Sequence, residues 1–187
     1  MTEKDVLKIF RQAGAIMEGH FLLTSGLHSP VYWEKFRVLQ FPELTLKLCK
    51  LIAKHYKGAG VQVVAGPTTG GVIIAFETAR ELKVRAAFAE KEGTSRVFRR
   101  GFSIEPGERV LVVDDIMTTG GSVVEVISAV KKLGADVIGV GILVDRSAKE
   151  IDLEVPLFSC LKSVTETFNP AQCPLCAAGV PLVRLGG

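Results

Sequence analysis

The stretch Val110-Leu111-Val112-Val113-Asp114-Asp115-Ile116-Met117-Thr118-Thr119-Gly120-Gly121-Ser122 decides the fold. Val110 to Val113 shows no polar alternation, which predicts a strand covered on both faces, as in a parallel sheet. Asp114 and Asp115 follow at the carboxyl end of that strand, where open α/β sheets place their ligands. Thr118 to Ser122 offer hydroxyls and closely spaced backbone N–H groups, and a helix behind them adds its positive dipole end. The combination suits a phosphorylated sugar, with amides for the phosphate and carboxylates for hydroxyls or a hydrated metal. Ser122 and Glu125 form an S-x-x-E capping box. Val123, Val126, Ile127, Val130 and Leu133 recur at helical spacing, and Gly134 ends the run. The competing reading is an ordinary strand–loop–helix unit with acidic surface residues. Paired aspartates running into T-T-G-G-S weigh against it. The loop lacks the G-K-[ST] of a Walker A motif and is not the dinucleotide G-x-G-x-x-G.

Outward from this unit the chain keeps alternating strand and helix from Gly60, the pattern of a mainly parallel α/β sheet flanked by helices. Strands are predicted at Val61–Ala65, Val84–Ala89 and Val137–Val144, and a helix at Val72–Leu82. Glu90–Arg100 breaks the rhythm and reads as a long mobile loop or hairpin. Upstream, Glu43–Tyr56 is an amphipathic helix. Val6, Ile9, Phe10 and Ala13 make one face of a first helix that Gly14 ends. His20–Gly26 and Val31–Trp33 read as short strands. The expected layout is one domain over 1–187, with a hood at about 1–40, a core at about 41–164 and a C-terminal tail at about 165–187.

Composition narrows the function classes. The chain has 187 residues, 48% hydrophobic and 23% charged, enough for a sizeable core in one soluble domain. Its net charge of +3 is too small to argue for nucleic acid. No apolar run reaches the ~18–20 residues of a membrane span. The acid-bearing N-terminus does not look like a secretory signal, so a cytoplasmic enzyme is expected. Cys49 and Cys160 fall in apolar runs and read as core. Cys173 and Cys176 form a lone C-x-x-C, open to a plain turn, half of a zinc site or a disulfide. No histidine follows them, so a four-thiolate site would need a second subunit.

Two further constellations stand beside strand ends. Gly66-Pro67-Thr68-Thr69-Gly70-Gly71 follows the first core strand and precedes a helix, a second phosphate-loop candidate. Asp145-Arg146 ends the strand Val137–Val144, where an Arg can grip a carboxylate by two bonds or simply pair with Asp145. Lys91, Arg96, Arg99 and Arg100 lie in the polar segment and serve either a bound anion or a solvated hairpin. Tyr32 and Trp33 read as an aromatic wall or as hairpin core.

The Asp114–Ser122 loop closely resembles the phosphoribosyl-diphosphate (PRPP) loop of the type I phosphoribosyltransferases. From about His20 to Arg146 the chain resembles the orotate phosphoribosyltransferase family. The resemblance rests on Phe21, Ser25, Gly26, Ser29, Pro30 and Tyr32 in a hood segment, on Gly66-Pro67 with Gly71, on the PRPP loop, and on Asp145-Arg146. It implies transfer of phosphoribose from PRPP to orotate with Mg²⁺. Asp114, Asp115, Ile116, Met117, Thr118, Thr119, Gly120, Gly121 and Ser122 would hold PRPP, and Thr68, Thr69, Gly70 and Gly71 the pyrophosphate. Thr118, Arg146, Tyr32 and Trp33 would meet orotate. Lys91, Arg96 and Asp115 would be catalytic. The family works as homodimers, the mobile loop of one subunit reaching into its neighbour. The chain departs from the family pattern at Thr24 and Gly70, where many members carry Lys, and in the mobile loop. There Lys91 matches, Glu90 replaces an Arg, Thr94 a second Lys and Arg96 a His. Arg99 and Arg100 are candidate replacements for the lost charge. The rival readings are a purine phosphoribosyltransferase, which has no use for Arg146, and a non-catalytic PRPP-sensing regulator.

Overall fold

Thr2 opens α1 (Glu3–Gln12): its side chain accepts the Asp5 N–H while the Asp5 carboxylate takes the Thr2 N–H, so the two residues satisfy each other's orphan donors. This is a computed structural model, and it describes residues 1–185. Positions 186 and 187 of the expected tail lie outside the described residues. After α1 come β1 (Ile16–Leu22) and β2 (His28–Trp33), an antiparallel hairpin, then the short α2 (Phe36–Leu39) and α3 (Pro42–His55). The alternating region supplies β3 (Val63–Pro67), α4 (Gly70–Leu82), β4 (Arg85–Glu92), β5 (Ser95–Phe98), β6 (Arg109–Met117), α5 (Gly121–Lys132), β7 (Asp136–Asp145) and β8 (Leu157–Lys162). The tail holds a 3₁₀ turn at Pro170–Gln172, α6 (Pro174–Ala177) and β9 (Val183–Arg184).

Six strands form the main sheet in the order β5-β4-β3-β6-β7-β8, parallel except for the β4–β5 hairpin. The segment read as a loop or hairpin is therefore a hairpin, turning at Gly93 with φ +58°. In β6 the side chains alternate between two cores. Leu111 and Val113 join Phe10, Leu48, Ile52 and Leu143 on one face, while Val110 and Val112 join Val63, Val126, Val130 and Ile142 on the other. That two-sided burial explains the unbroken apolar run in its sequence. A second, small sheet has the order β2-β1-β9, with β9 parallel to β1, so the tail returns to the N-terminal hairpin.

Two sequence expectations change. The strand at Val110–Val113 continues to Met117, so the acidic pair lies within the ladder, Asp114 opposite Ile142 and Met117 opposite Asp145. The Ser122–Glu125 capping box does not form. Gly120 is the N-cap of α5, with φ +77°, and no side chain caps the helix. A residue with a Cβ would be strained in that left-handed conformation. Glu125 instead turns to Arg96.

Candidate functional site

β3 and β6 are neighbours at the sheet's switch point: from β3 the chain steps outward to β4, and later returns on the other side to β6. Their carboxyl-end loops therefore open side by side, where a doubly wound sheet forms its crevice. Each loop runs straight into a helix, α4 or α5, that no side chain caps. Both helices thus present first-turn N–H groups outward with their positive ends. The Thr68–Thr69 peptide is cis. A small cavity of about 60 Å³ is lined by Asp114, Ile116, Met117 and the continuous loop Thr118 to Val123. Thr118, Thr119, Gly121 and Ser122 are exposed around it. Met117 is buried in the core, leaving only its backbone for a ligand.

Asp114 and Asp115 are both buried. Backbone amides orient them: Asp114 Oδ1 accepts the Asp115 N–H at 2.8 Å, and Asp115 Oδ1 the Ile116 N–H at 2.6 Å. Burial, with the Asp115 charge alongside, holds the Asp114 carboxyl well above the ordinary carboxylate range. Burial also raises Asp115, against the opposing pull of Lys35. Lys35 Nζ donates to Asp115 Oδ1 at 3.0 Å, and Asp115 Oδ2 is buried without a partner. Sequence reading missed Lys35, whose only signal is a lysine just past the hood strand. Gly70 packs tightly here as well: a Cβ there would overlap Asp115 Oδ2.

Arg96 is not a loose surface cation. It is buried, donating from Nε to Glu125 at 3.0 Å, from one terminal nitrogen to Thr68 Oγ1 at 3.3 Å and the Ala89 carbonyl at 3.2 Å, and from the other to Ser122 Oγ at 3.4 Å. It ties the two phosphate-loop candidates together. Lys91 is exposed, its Nζ 3.7 Å from Glu125. Arg99 pairs with Glu92, and Arg100 with Glu90, so the hairpin's own acids offset both candidate replacement charges.

Arg146 follows β7 beside the loop of β6, and its N–H donates to the Met117 carbonyl at 2.8 Å. Its Nε is buried with no partner, and its guanidinium lies 5.8 Å from the Trp33 ring centre. Burial pulls its pKa down from the usual arginine value. Asp145 does not pair with it, holding instead the Ser147 N–H and hydroxyl at 2.9 and 2.6 Å. Trp33 and Tyr32 do not make one wall. Successive strand residues face opposite ways: Trp33 packs on Phe10, while Tyr32 meets Phe21. Cys173 and Cys176 lie on His20 and His28, distant in sequence but in the same chain, so no second subunit is required for a four-ligand set.

The pattern of the phosphoribosyl transferase domain family matches residues 37–175. An orotate phosphoribosyltransferase of Desulforamulus reducens is 48% identical over 186 residues, covering 100% of this chain and 97% of its own. The crystal structure of orotate phosphoribosyltransferase from Aeropyrum pernix superimposes with a TM-score of 0.72 at 31% identity, covering 84% of this chain and 93% of that one. The Mycobacterium tuberculosis orotate phosphoribosyltransferase also gives 0.72, at 26% identity, covering 86% and 95%.

Proposed function

The chain belongs to the phosphoribosyl transferase family, among its orotate phosphoribosyltransferases, and from that premise we propose that it transfers the phosphoribosyl group of PRPP to orotate. The products are orotidine 5′-monophosphate and pyrophosphate, in pyrimidine nucleotide biosynthesis. The observation that carries the choice of base is the buried, unpartnered Nε of Arg146 beside the loop of β6. An unsatisfied buried donor is costly, and a flat carboxylated pyrimidine supplies the acceptor. A purine does not.

The uncapped start of α5 and the hydroxyls of Thr118, Thr119 and Ser122 bind the sugar 5-phosphate in this reading. The start of α4, with Thr68 to Gly71, receives pyrophosphate. The bond from C1 of the ribose to the pyrophosphate oxygen breaks, its electron pair leaving with pyrophosphate, while a ring nitrogen of orotate bonds to C1 and releases its proton, which the departing pyrophosphate or solvent accepts. Lys91 can swing over the departing phosphates from its exposed hairpin and stabilise their charge. Thr118 and the Arg146 guanidinium orient orotate, and Trp33 backs that guanidinium. Asp114 and Asp115 offer hard oxygens, one without a partner, which fit a ribose hydroxyl or hydrated Mg²⁺ arriving with PRPP. When bound, the ion neutralises pyrophosphate charge.

We read the enzyme as a homodimer working in the cytoplasm. Ile73 and Phe76 are exposed on α4 and line one surface hollow with Pro42 at the start of α3, an apolar surface that a second copy would cover. Among the described residues no helix is long and apolar enough to cross a membrane.

The test is to mix the protein with orotate, PRPP and Mg²⁺ and follow orotate's near-ultraviolet absorbance. PRPP-dependent loss with pyrophosphate release supports the reading. Arg146→Ala should lower kcat/KM for orotate by roughly 100-fold, the worth of a charge-assisted pair, with PRPP binding retained. PRPP binding without turnover in the unaltered protein would favour a sensor, and adenine or hypoxanthine turnover a purine enzyme.

A further inference from the structure

His20 on β1 and His28 on β2 face each other, with His20 Nε2 2.9 Å from His28 Nδ1. Cys173 Sγ stands 3.5 Å from His20 Nε2, and Cys176 Sγ stands 3.8 Å from the same nitrogen and 3.4 Å from His28 Nδ1. One ligand atom from each of the four residues lies within 4.8 Å of all the others. We propose that these residues form a structural zinc site, two thiolates and two imidazoles, that fastens the C-terminal tail to the N-terminal hairpin.

The spacing suits the ion. Tetrahedral zinc with sulfur at about 2.3 Å and nitrogen at about 2.1 Å holds its ligands roughly 3.3 to 3.8 Å apart. The sulfur–nitrogen separations of 3.4, 3.5 and 3.8 Å fall in that range, and the two imidazole nitrogens, 2.9 Å apart, would open by a few tenths of an ångström on binding. The donors suit it as well, since thiolate and imidazole together favour zinc over hard cations. Four protein ligands leave no open position, as in a site that holds structure rather than reacts.

Two further observations point to a bound ion. His20 Nδ1 lies 2.8 Å from the Val180 carbonyl. That ring nitrogen must carry the proton to donate, which leaves Nε2 as a bare lone pair facing the cluster. Zinc histidines are held in the same way, by a carbonyl on the far nitrogen. Without a metal, that lone pair can take the His28 Nδ1–H at 2.9 Å, but the two sulfurs around it are left to weak S–H contacts. The second observation is the tail itself. Between Lys162 and Leu185, Cys173 is the one buried residue among those described. Its backbone contacts with the hood are few, His28 with Phe168 and the short β1–β9 ladder. A segment with almost no apolar core needs a cross-link to stay docked. The short helix α6 helps by bringing Cys173 and Cys176, three residues apart, to one side.

The test uses the full chain purified under reducing conditions from zinc-supplemented medium. Elemental analysis should find about one zinc per chain. After chelation, cobalt should restore binding with the intense visible bands of a tetrahedral site and a sulfur-to-metal charge-transfer band. Cys176→Ser and His28→Asn should each cut metal affinity by at least 10-fold. Cys176 is exposed, so that variant disturbs no packing, and the cobalt spectrum of the unaltered chain needs no variant at all. A reduced chain that takes up neither zinc nor cobalt would overturn the proposal. So would a Cys173–Cys176 disulfide in the native protein, or metal retained undiminished by both variants.

Discussion

Lys35 Nζ reaches across to Asp115 Oδ1 at 3.0 Å, pairing a half-exposed cation with a fully enclosed carboxylate. Without Lys35 the Asp115 charge would lose its facing counter-ion. Lys35→Ala is expected to lower stability by about 1 kcal/mol, a value discounted for the solvent around the lysine. It should weaken PRPP binding more than orotate binding. Urea unfolding and PRPP titration check both, and an unchanged PRPP affinity would remove Lys35 from the site.

Placing at position 70 the lysine that the family resemblance suggests is expected to harm this chain. A Cβ at Gly70 runs into Asp115 Oδ2, on the carboxylate that Lys35 already engages. Gly70→Ala alone should cost on the order of 1–3 kcal/mol through overpacking, and Gly70→Lys should not raise turnover. A Gly70→Lys variant with normal stability and faster turnover would contradict this.

Arg96 is the joint between the two loops; without it Glu125 keeps the more distant Lys91, 3.7 Å away, and the Ala89 carbonyl keeps the Thr68 N–H at 3.2 Å. Arg96→Ala should destabilise the fold by about 2–4 kcal/mol and lower kcat as well as PRPP affinity. Arg96→Lys can keep one partner and should recover part of the stability but little of the rate. Full activity in the lysine variant would mean that only charge matters at this position.

Asp114 makes folding sensitive to pH in a stated direction. Its carboxyl is raised in the folded protein, so the native state holds the proton more tightly than the unfolded chain. The stabilisation is fully present below the unfolded value of about 4 and is lost as pH rises toward the higher folded value. Asp114→Asn removes that loss. Its melting temperature relative to the unaltered protein should climb over this interval while PRPP binding falls. A melting difference that stays flat across the interval would count against it.

Phe76 is 65% exposed on α4, beside Ile73. Phe76→Asp should convert a dimer to monomers in sedimentation experiments and leave the monomer's melting behaviour nearly unchanged. A dimer that survives the change would place the interface elsewhere.

The α/β fold was legible because β6 and β7 are apolar on both faces and α3, α4 and α5 carry clear periodicity. The phosphate-loop candidates were legible because glycines and hydroxyls cluster between those elements. What stayed hidden depends on distance in sequence. Nothing near Lys35 announces Asp115, 80 residues on. Arg96 reads as a surface cation because Glu125 and Thr68 come to it only through the β4–β5 hairpin. Ser122 and Glu125 match a capping box, yet Gly120 begins the helix and Arg96 claims both side chains. Tyr32 and Trp33 are adjacent letters on opposite faces of one strand. His20 and His28 meet Cys173 and Cys176 only after the tail has folded back.

The parallel pairing of β9 with β1 also sets an order of events during synthesis. Residues 183 and 184 leave the ribosome after every strand of the six-stranded sheet, so that sheet can assemble while β1 still lacks its outer neighbour. The hood is then finished last, and a nascent chain whose residues up to 162 have emerged while the tail has not would hold a formed crevice under an unfinished roof.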